Sequence, residues 1–217
     1  MEFDLTKLTP DVRKLSDMKN VIYDKKWLKT ADNVELYYMY RGLEEMDGLR
    51  YDITVIPAKM LSAEFIKTKG HYHMGNWQEV YTVLEGTAIY LMQKKNNKKE
   101  IEDVYFVKAE KGESIIIPSG WGHVTINPSE TQELKICNWV SEDCESDYSD
   151  FERLQGACYY YAKKGPASAK ASASDESSAG QVGEAKWIKN ENYKDIPPLR
   201  EEKPLKSIPQ NLDFLRQ

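Results

Sequence analysis

The segment Thr68–Met92 reads TKGHYHMGNWQEVYTVLEGTAIYLM. It contains two of the chain's three histidines, His71 and His73, one residue apart, and Glu79 six positions after the second. In an extended strand residues i and i+2 point to the same face. His71 and His73 therefore project together, as they must to offer two imidazoles to one metal ion. MGNW turns the chain, Glu79 opens a new strand, Tyr81 shares its face, and Gly86 marks where that strand ends.

Outward from this stretch the pattern continues. Between about Asn33 and Val140, short runs such as ELYYMY, RYDITVI, IEDVYFV, ESIIIP, HVTINP and LKICNWV follow one another. They are rich in β-branched and aromatic residues and are separated by Gly, Pro and Asn clusters. KKNNKK is a solvated hairpin turn. Many strands with no interleaved helical pattern predict an antiparallel sandwich or barrel. The preceding DVRKLSDMKNVIYDKKWLKT predicts a short helix and an edge strand leading into the β core. Residues 1–32 are expected as an extension packing on the barrel or on a dimer partner, and 33–162 as the barrel.

Composition changes after Tyr161. KKGPASAKASASDESSAGQVGEA is rich in Ala, Ser and Gly and too polar to repay its ordering entropy, which predicts a flexible linker over 163–185. Residues 186–217 form a tail whose Trp187, Ile188, Leu212, Phe214 and Leu215 can fold back onto the core or a neighbouring subunit. A Pro-rich recognition peptide is the alternative for this tail.

Bulk properties narrow the function classes. A chain of 217 residues holds one well-cored domain plus appendages. A net charge of -5 and a pI near 5.4 give no basic surplus for nucleic acid or an anionic membrane surface. No window has the apolar length of a membrane span, and the charged N-terminus lacks a signal-peptide core. Cys137, Cys144 and Cys158 are odd in number and spread out, so they predict neither a disulfide framework nor a zinc knuckle. The expected setting is a reducing cytoplasm.

The third histidine, His123, lies in GESIIIPSGWGHVTIN. Here Gly112, Pro118, Gly120, His123 and Asn127 are separated by five, one, two and three residues. That spacing resembles the second motif of the cupins, and His71, His73, Glu79 and Gly86 resemble the first. One departure is the five-residue gap between His73 and Glu79, where three or four are usual. Gln78 fits the common gap better. The six residues from Glu79 to Gly86, and the superiority of a carboxylate over an amide as ligand, favour Glu79. The resemblance implies a double-stranded β-helix, or jelly-roll barrel, holding one divalent ion per subunit on His71, His73, Glu79 and His123. Three imidazoles and a carboxylate suit Fe, Mn, Ni or Zn in the +2 state, with Fe2+ the first expectation.

VRKLSDM, TKGHYH, EVYTVLEG and PSGWGHVTIN together resemble the archaeal-type, cupin phosphoglucose isomerases, over roughly Val12 to Tyr148. The resemblance implies interconversion of glucose 6-phosphate and fructose 6-phosphate in glycolysis and gluconeogenesis, in homodimers. It implies Glu79 as the catalytic carboxylate, as ligand, base, or each in turn. It places the sugar-phosphate site on Thr54, Thr68, Gly70 and Tyr81, with ordinary strand packing an equal account of Thr54 and Tyr81. Thr68 would face the wrong way in a regular strand, which a bulge at Gly70 could relieve. An early-strand tyrosine also belongs to the site. LYYMY offers Tyr37, Tyr38 and Tyr40; Tyr37 is taken, although a one-residue slip would reverse it. The family's Gly-His-Asp-Tyr segment reads ESDY here, so Tyr148 remains a binding candidate while Ser146 replaces the histidine. Other readings of the same ligands are mannose-6-phosphate isomerase, a dioxygenase, or a non-catalytic sugar-phosphate-binding cupin.

Overall fold

A computed structural model describes residues 3–163 and 184–216. After a 3-10 turn at Leu5–Lys7, the chain forms β1 (Asp11–Lys14) and α1 (Leu15–Met18), then a second 3-10 turn at Trp27–Lys29. Next come β2 (Glu35–Met46), β3 (Leu49–Ile56), β4 (Met60–Leu61), β5 (Glu64–Phe65), β6 (Tyr72–Met74) and β7 (Glu79–Glu85). Then follow β8 (Thr87–Lys95), β9 (Ile101–Glu110), β10 (Ser114–Ile117), β11 (Trp121–Ile126), β12 (Leu134–Ser141) and β13 (Glu145–Asp147). The described chain ends with α2 (Ser149–Arg153), β14 (Tyr159–Lys163), β15 (Ala185–Lys189), β16 (Arg200–Glu202) and a 3-10 turn at Asp213–Arg216.

Two sheets form the body: six strands in the order β1-β2-β3-β12-β7-β10 and four in the order β11-β8-β9-β16. Their pairings are antiparallel, as an all-β barrel of hairpins requires, except β16, which runs parallel to β9. The period of two is legible strand by strand. On β3, Ile56 joins the main core while Tyr51, Ile53 and Val55 turn outward into a second apolar cluster. On β12, Ile136 lies inside and Cys137 and Trp139 outside; on β7, Tyr81 and Val83 lie inside and Val80 outside. The 87–95 and 101–110 strands meet through the Asn96–Glu100 turn, where the Asn96 amide donates to the Glu100 carbonyl at 2.9 Å. Gly86 joins β7 to β8 at φ +81°, where a Cβ would lie 2.6 Å from the Glu133 carbonyl oxygen. Only glycine fits that turn.

The N-terminal extension packs on the barrel: β1 pairs with β2, and Leu15, Met18, Val21 and Ile22 belong to the main core. The residues after 185 fold back onto the core, one of the placements open to their apolar side chains: β15 pairs with β14, Trp187 packs against Phe106 at 5.1 Å between ring centroids, and Leu215 is fully buried. The expected linker of 163–185 is corrected at its ends, because Lys163 and Ala185 are strand residues paired with each other. The interior of the expected linker, 164–183, lies outside the described residues.

Candidate metal centre and substrate cavity

Backbone pairing brings the histidines together. The His123 amide donates to the His71 carbonyl at 3.0 Å, and the His71 amide to the His123 carbonyl at 3.3 Å. His73 follows on β6, opposite Ser146 of β13, and Glu79 is the first residue of β7. One donor atom from each of His71, His73, Glu79 and His123 lies within 4.8 Å of the others. The gap through Met74–Gln78 is the turn that lets Glu79 reach this centre, with the Trp77 carbonyl 3.0 Å from His73 Nδ1. A carbonyl only accepts, so Nδ1 carries a proton and Nε2 faces the other donors.

The electrostatics fit a cation. Burial, reinforced by His73, pushes His71 down to about 3, and burial with the neighbouring imidazoles pushes His123 well below its ordinary value. Both are therefore neutral imidazoles with lone pairs to offer. His123 is 2% exposed, yet neither of its ring nitrogens has a hydrogen-bond partner among the described residues. Such orphaned groups are costly unless something outside the protein chain satisfies them. Burial also opposes charge on His73, but hydrogen bonds with Cys144 and Glu79 outweigh it and raise the imidazole to about 10. Its Nε2 lies 3.2 Å from Glu79 Oε2, and His123 Nε2 lies 3.5 Å from the same oxygen. One carboxylate oxygen thus stands between two imidazoles where the four side chains converge.

Beside this centre opens a partly open cavity lined by hydroxyl-bearing and charged side chains. The expected residues Tyr37, Thr54, Thr68, Gly70, Tyr81 and Tyr148 all line it, together with Ser146. Tyr38 and Tyr40 instead lie in the outer cluster. The Thr68–Gly70 stretch lies between the strands. Thr68 Oγ1 accepts from the Thr125 amide at 3.0 Å, which leaves its hydroxyl hydrogen to donate. Gly70 takes φ +80°, and a Cβ there would meet Phe151 at 2.5 Å. The Tyr37 hydroxyl accepts from the Lys69 amide at 3.3 Å, and the Tyr148 ring lies 5.5 Å from the His71 ring. Burial, then the Glu79 charge, raises Tyr81 well above an ordinary phenol, so it stays a donor toward Glu79.

The cavity also contains Arg41, Arg50, Asp52, Lys69 and Asn138, which the motifs do not name. The period of two already places Arg50 and Asp52 on the face of Thr54, and Arg41 on the face of Tyr37. Asn138 stands opposite both Asp52 and Tyr81 in the sheet register, information that only pairing supplies. Asp52 accepts from Arg50 Nε at 3.0 Å and from the Gly42 amide at 2.8 Å.

An all-β barrel with three histidines and a carboxylate converging inside it is a cupin-type protein. The family model described as "Glucose-6-phosphate isomerase (GPI)" matches residues 12–177. The chain belongs to that family. A glucose-6-phosphate isomerase of Thermococcus litoralis is 34% identical over 144 residues, covering 63% of this chain and 72% of that protein. The Pyrococcus abyssi protein of the same name is 32% identical over the same shares. Among solved structures, oxalate oxidase with the substrate analogue glycolate aligns at TM-score 0.41 and 14% identity, covering 52% of this chain and 55% of that one.

Proposed function

We propose that the chain is a metal-dependent isomerase that interconverts glucose 6-phosphate and fructose 6-phosphate. The observation that carries this reading is the four-donor cluster at one wall of a hydroxyl-lined cavity, in a member of an isomerase family. His71, His73, Glu79 and His123 would hold one divalent ion per subunit, Fe2+ first among Fe, Mn, Ni and Zn. When bound, such an ion supplies Lewis-acid polarisation of the sugar's C1 and C2 oxygens. The subunit pairs with a second copy and works in the cytoplasm, as the family resemblance implies.

The chain's own residues do the rest. The Thr54 and Thr68 hydroxyls, the Gly70 amide and the Tyr37 phenol cradle the phosphate, a task that neutral donors perform without a lysine. Tyr148 and Ser146 border the sugar near the histidines. From the open-chain aldose, the Glu79 carboxylate takes the proton on C2 and returns it to C1. The electron pair moves through the C1–C2 bond as the hydroxyl proton on the C2 oxygen passes to the C1 oxygen, so that the C1 carbonyl becomes a hydroxyl and the C2 hydroxyl a carbonyl. Tyr81, held as a neutral phenol, donates to Glu79 and orients it. The decisive experiment supplies the purified, Fe- or Mn-loaded protein with glucose 6-phosphate. Fructose 6-phosphate is the expected product; none formed with metal confirmed bound overturns the proposal.

A further inference from the structure

The residues after Ala185 lie beyond the stretch matched by the family model, yet they contact the turn that leads into Glu79. β16 lies along β9 in the four-stranded sheet. Three residues later Leu205 bridges to Ser114 at the start of β10, an end strand of the six-stranded sheet. The Ser114 amide donates to the Leu205 carbonyl at 2.9 Å and the Leu205 amide to the Ser114 carbonyl at 2.8 Å. One segment therefore stitches the rims of both sheets. It then lands on the outer face of the six-stranded sheet, where Leu215, fully buried, joins the cluster of Val80, Tyr51 and Trp139. Arg216 Nε anchors its end by donating to the Asp47 carbonyl at 3.0 Å.

At this landing point the Phe214 carbonyl accepts from Gln78 Nε2 at 3.3 Å. Gln78 directly precedes Glu79 and follows Trp77, whose carbonyl meets His73 Nδ1. The segment thus grips the turn that delivers one donor and orients another.

We propose that Leu205–Arg216 is a strap that sets the Gln78–Glu79 end of this turn and thereby the affinity of the four-donor site for its divalent ion. Gln78 is its positioning residue. The inference rests on the reading of His71, His73, Glu79 and His123 as metal ligands. Groups that orient ligands from outside typically change metal affinity about 10- to 100-fold. A strap that merely closed sheet edges would change thermal stability and leave metal affinity alone.

The test is a Co2+ titration of the full-length protein, read by visible absorption of the bound ion and by competition with a chelator. Gln78→Leu removes the donor at similar volume and is expected to weaken Co2+ binding about tenfold and alter the absorption bands. Arg216→Ala, which frees the strap's end at the surface, shifts affinity the same way by less. Unchanged affinity and spectrum in both variants overturn the strap, whatever happens to the melting temperature. If Gln78→Leu does not fold, Arg216→Ala carries the same decision. If the unaltered protein binds no Co2+, the metal reading itself falls and the strap's role falls with it.

Discussion

At the scale of the residue, Glu79 and Gly70 illustrate two kinds of demand. Glu79 is 4% exposed and shares one oxygen between two imidazoles, with a neutral phenol beside it. An amide in its place keeps the volume but loses the proton carrier and the anionic donor. Glu79→Gln is therefore expected to lower kcat by about 10²–10⁴-fold. Binding of a sugar phosphate at Thr54 and Thr68 should weaken far less, since those hydroxyls do not touch the substitution. Steady-state kinetics beside direct ligand titration separate the two effects, and full turnover would remove Glu79 from the chemistry. Gly70 answers to geometry instead. At φ +80°, with Phe151 and Val124 2.5–2.6 Å from an added Cβ, Gly70→Ala combines backbone strain with overpacking. The expected loss is about 2–5 kcal/mol, read from the urea midpoint. A loss under 0.5 kcal/mol would mean that Phe151 moves aside freely.

At the scale of the element, α2 is only five residues long and depends on side-chain clamps for its place. Asp150 accepts from Lys95 of β8 at 2.6 Å and from Arg153 at 2.7 Å, and Lys95 lies 4.1 Å from the Tyr72 ring centre. Burial raises the Asp150 carboxyl, but the Lys95 and Arg153 hydrogen bonds outweigh it and hold its pKa below the usual value. A depressed folded-state pKa stabilises the protein above the unfolded value, near 3.8, and the contribution disappears as pH falls through the folded value. Asp150→Asn should cost about 1–3 kcal/mol at pH 7, and the gap between parent and variant should narrow as pH falls through the depressed folded-state value and close once the carboxyl is protonated in both states. Urea unfolding at neutral and acid pH measures it; a gap that persists in acid would assign the loss to packing. Most elements were legible because β2, β3, β7 and β12 alternate faces, with Arg41, Arg50, Asp52, Glu79 and Asn138 turned to the cavity and Tyr40, Tyr51, Val80 and Trp139 to the outer cluster. The segments at 185–189 and 200–202 were not. REE of β16 is exposed throughout and has no apolar face to announce it. Its place comes from pairing with a strand some ninety residues earlier in the chain, and the Asp103–Arg200 ion pair that accompanies it is equally non-local.

At the scale of the whole molecule, the candidate site joins pieces that are far apart in sequence. The ligand types and their spacing were readable from His71, His73, Glu79 and His123 alone, and so was the hydroxyl character of the cavity. The reason for the long turn before Glu79 was not, because it lies in the Trp77 carbonyl and in Phe214, more than a hundred residues on. Three of the four donors come from neighbouring stretches and the fourth from β11, so a bound ion ties β6, β7 and β11 to one point. An ion that binds only the folded chain must stabilise it by mass action. Manganese at about 100 times its dissociation constant should add about 2.7 kcal/mol, seen as a higher melting temperature that chelator reverses. His123→Gln should abolish the manganese increment, since it removes a neutral imidazole that has no other partner among the described residues. The isomerisation is redox-neutral, so turnover by the manganese-loaded protein should be equal in air and under argon. Oxygen uptake accompanying turnover, or a melting temperature indifferent to manganese, would instead require a different use of the same four side chains.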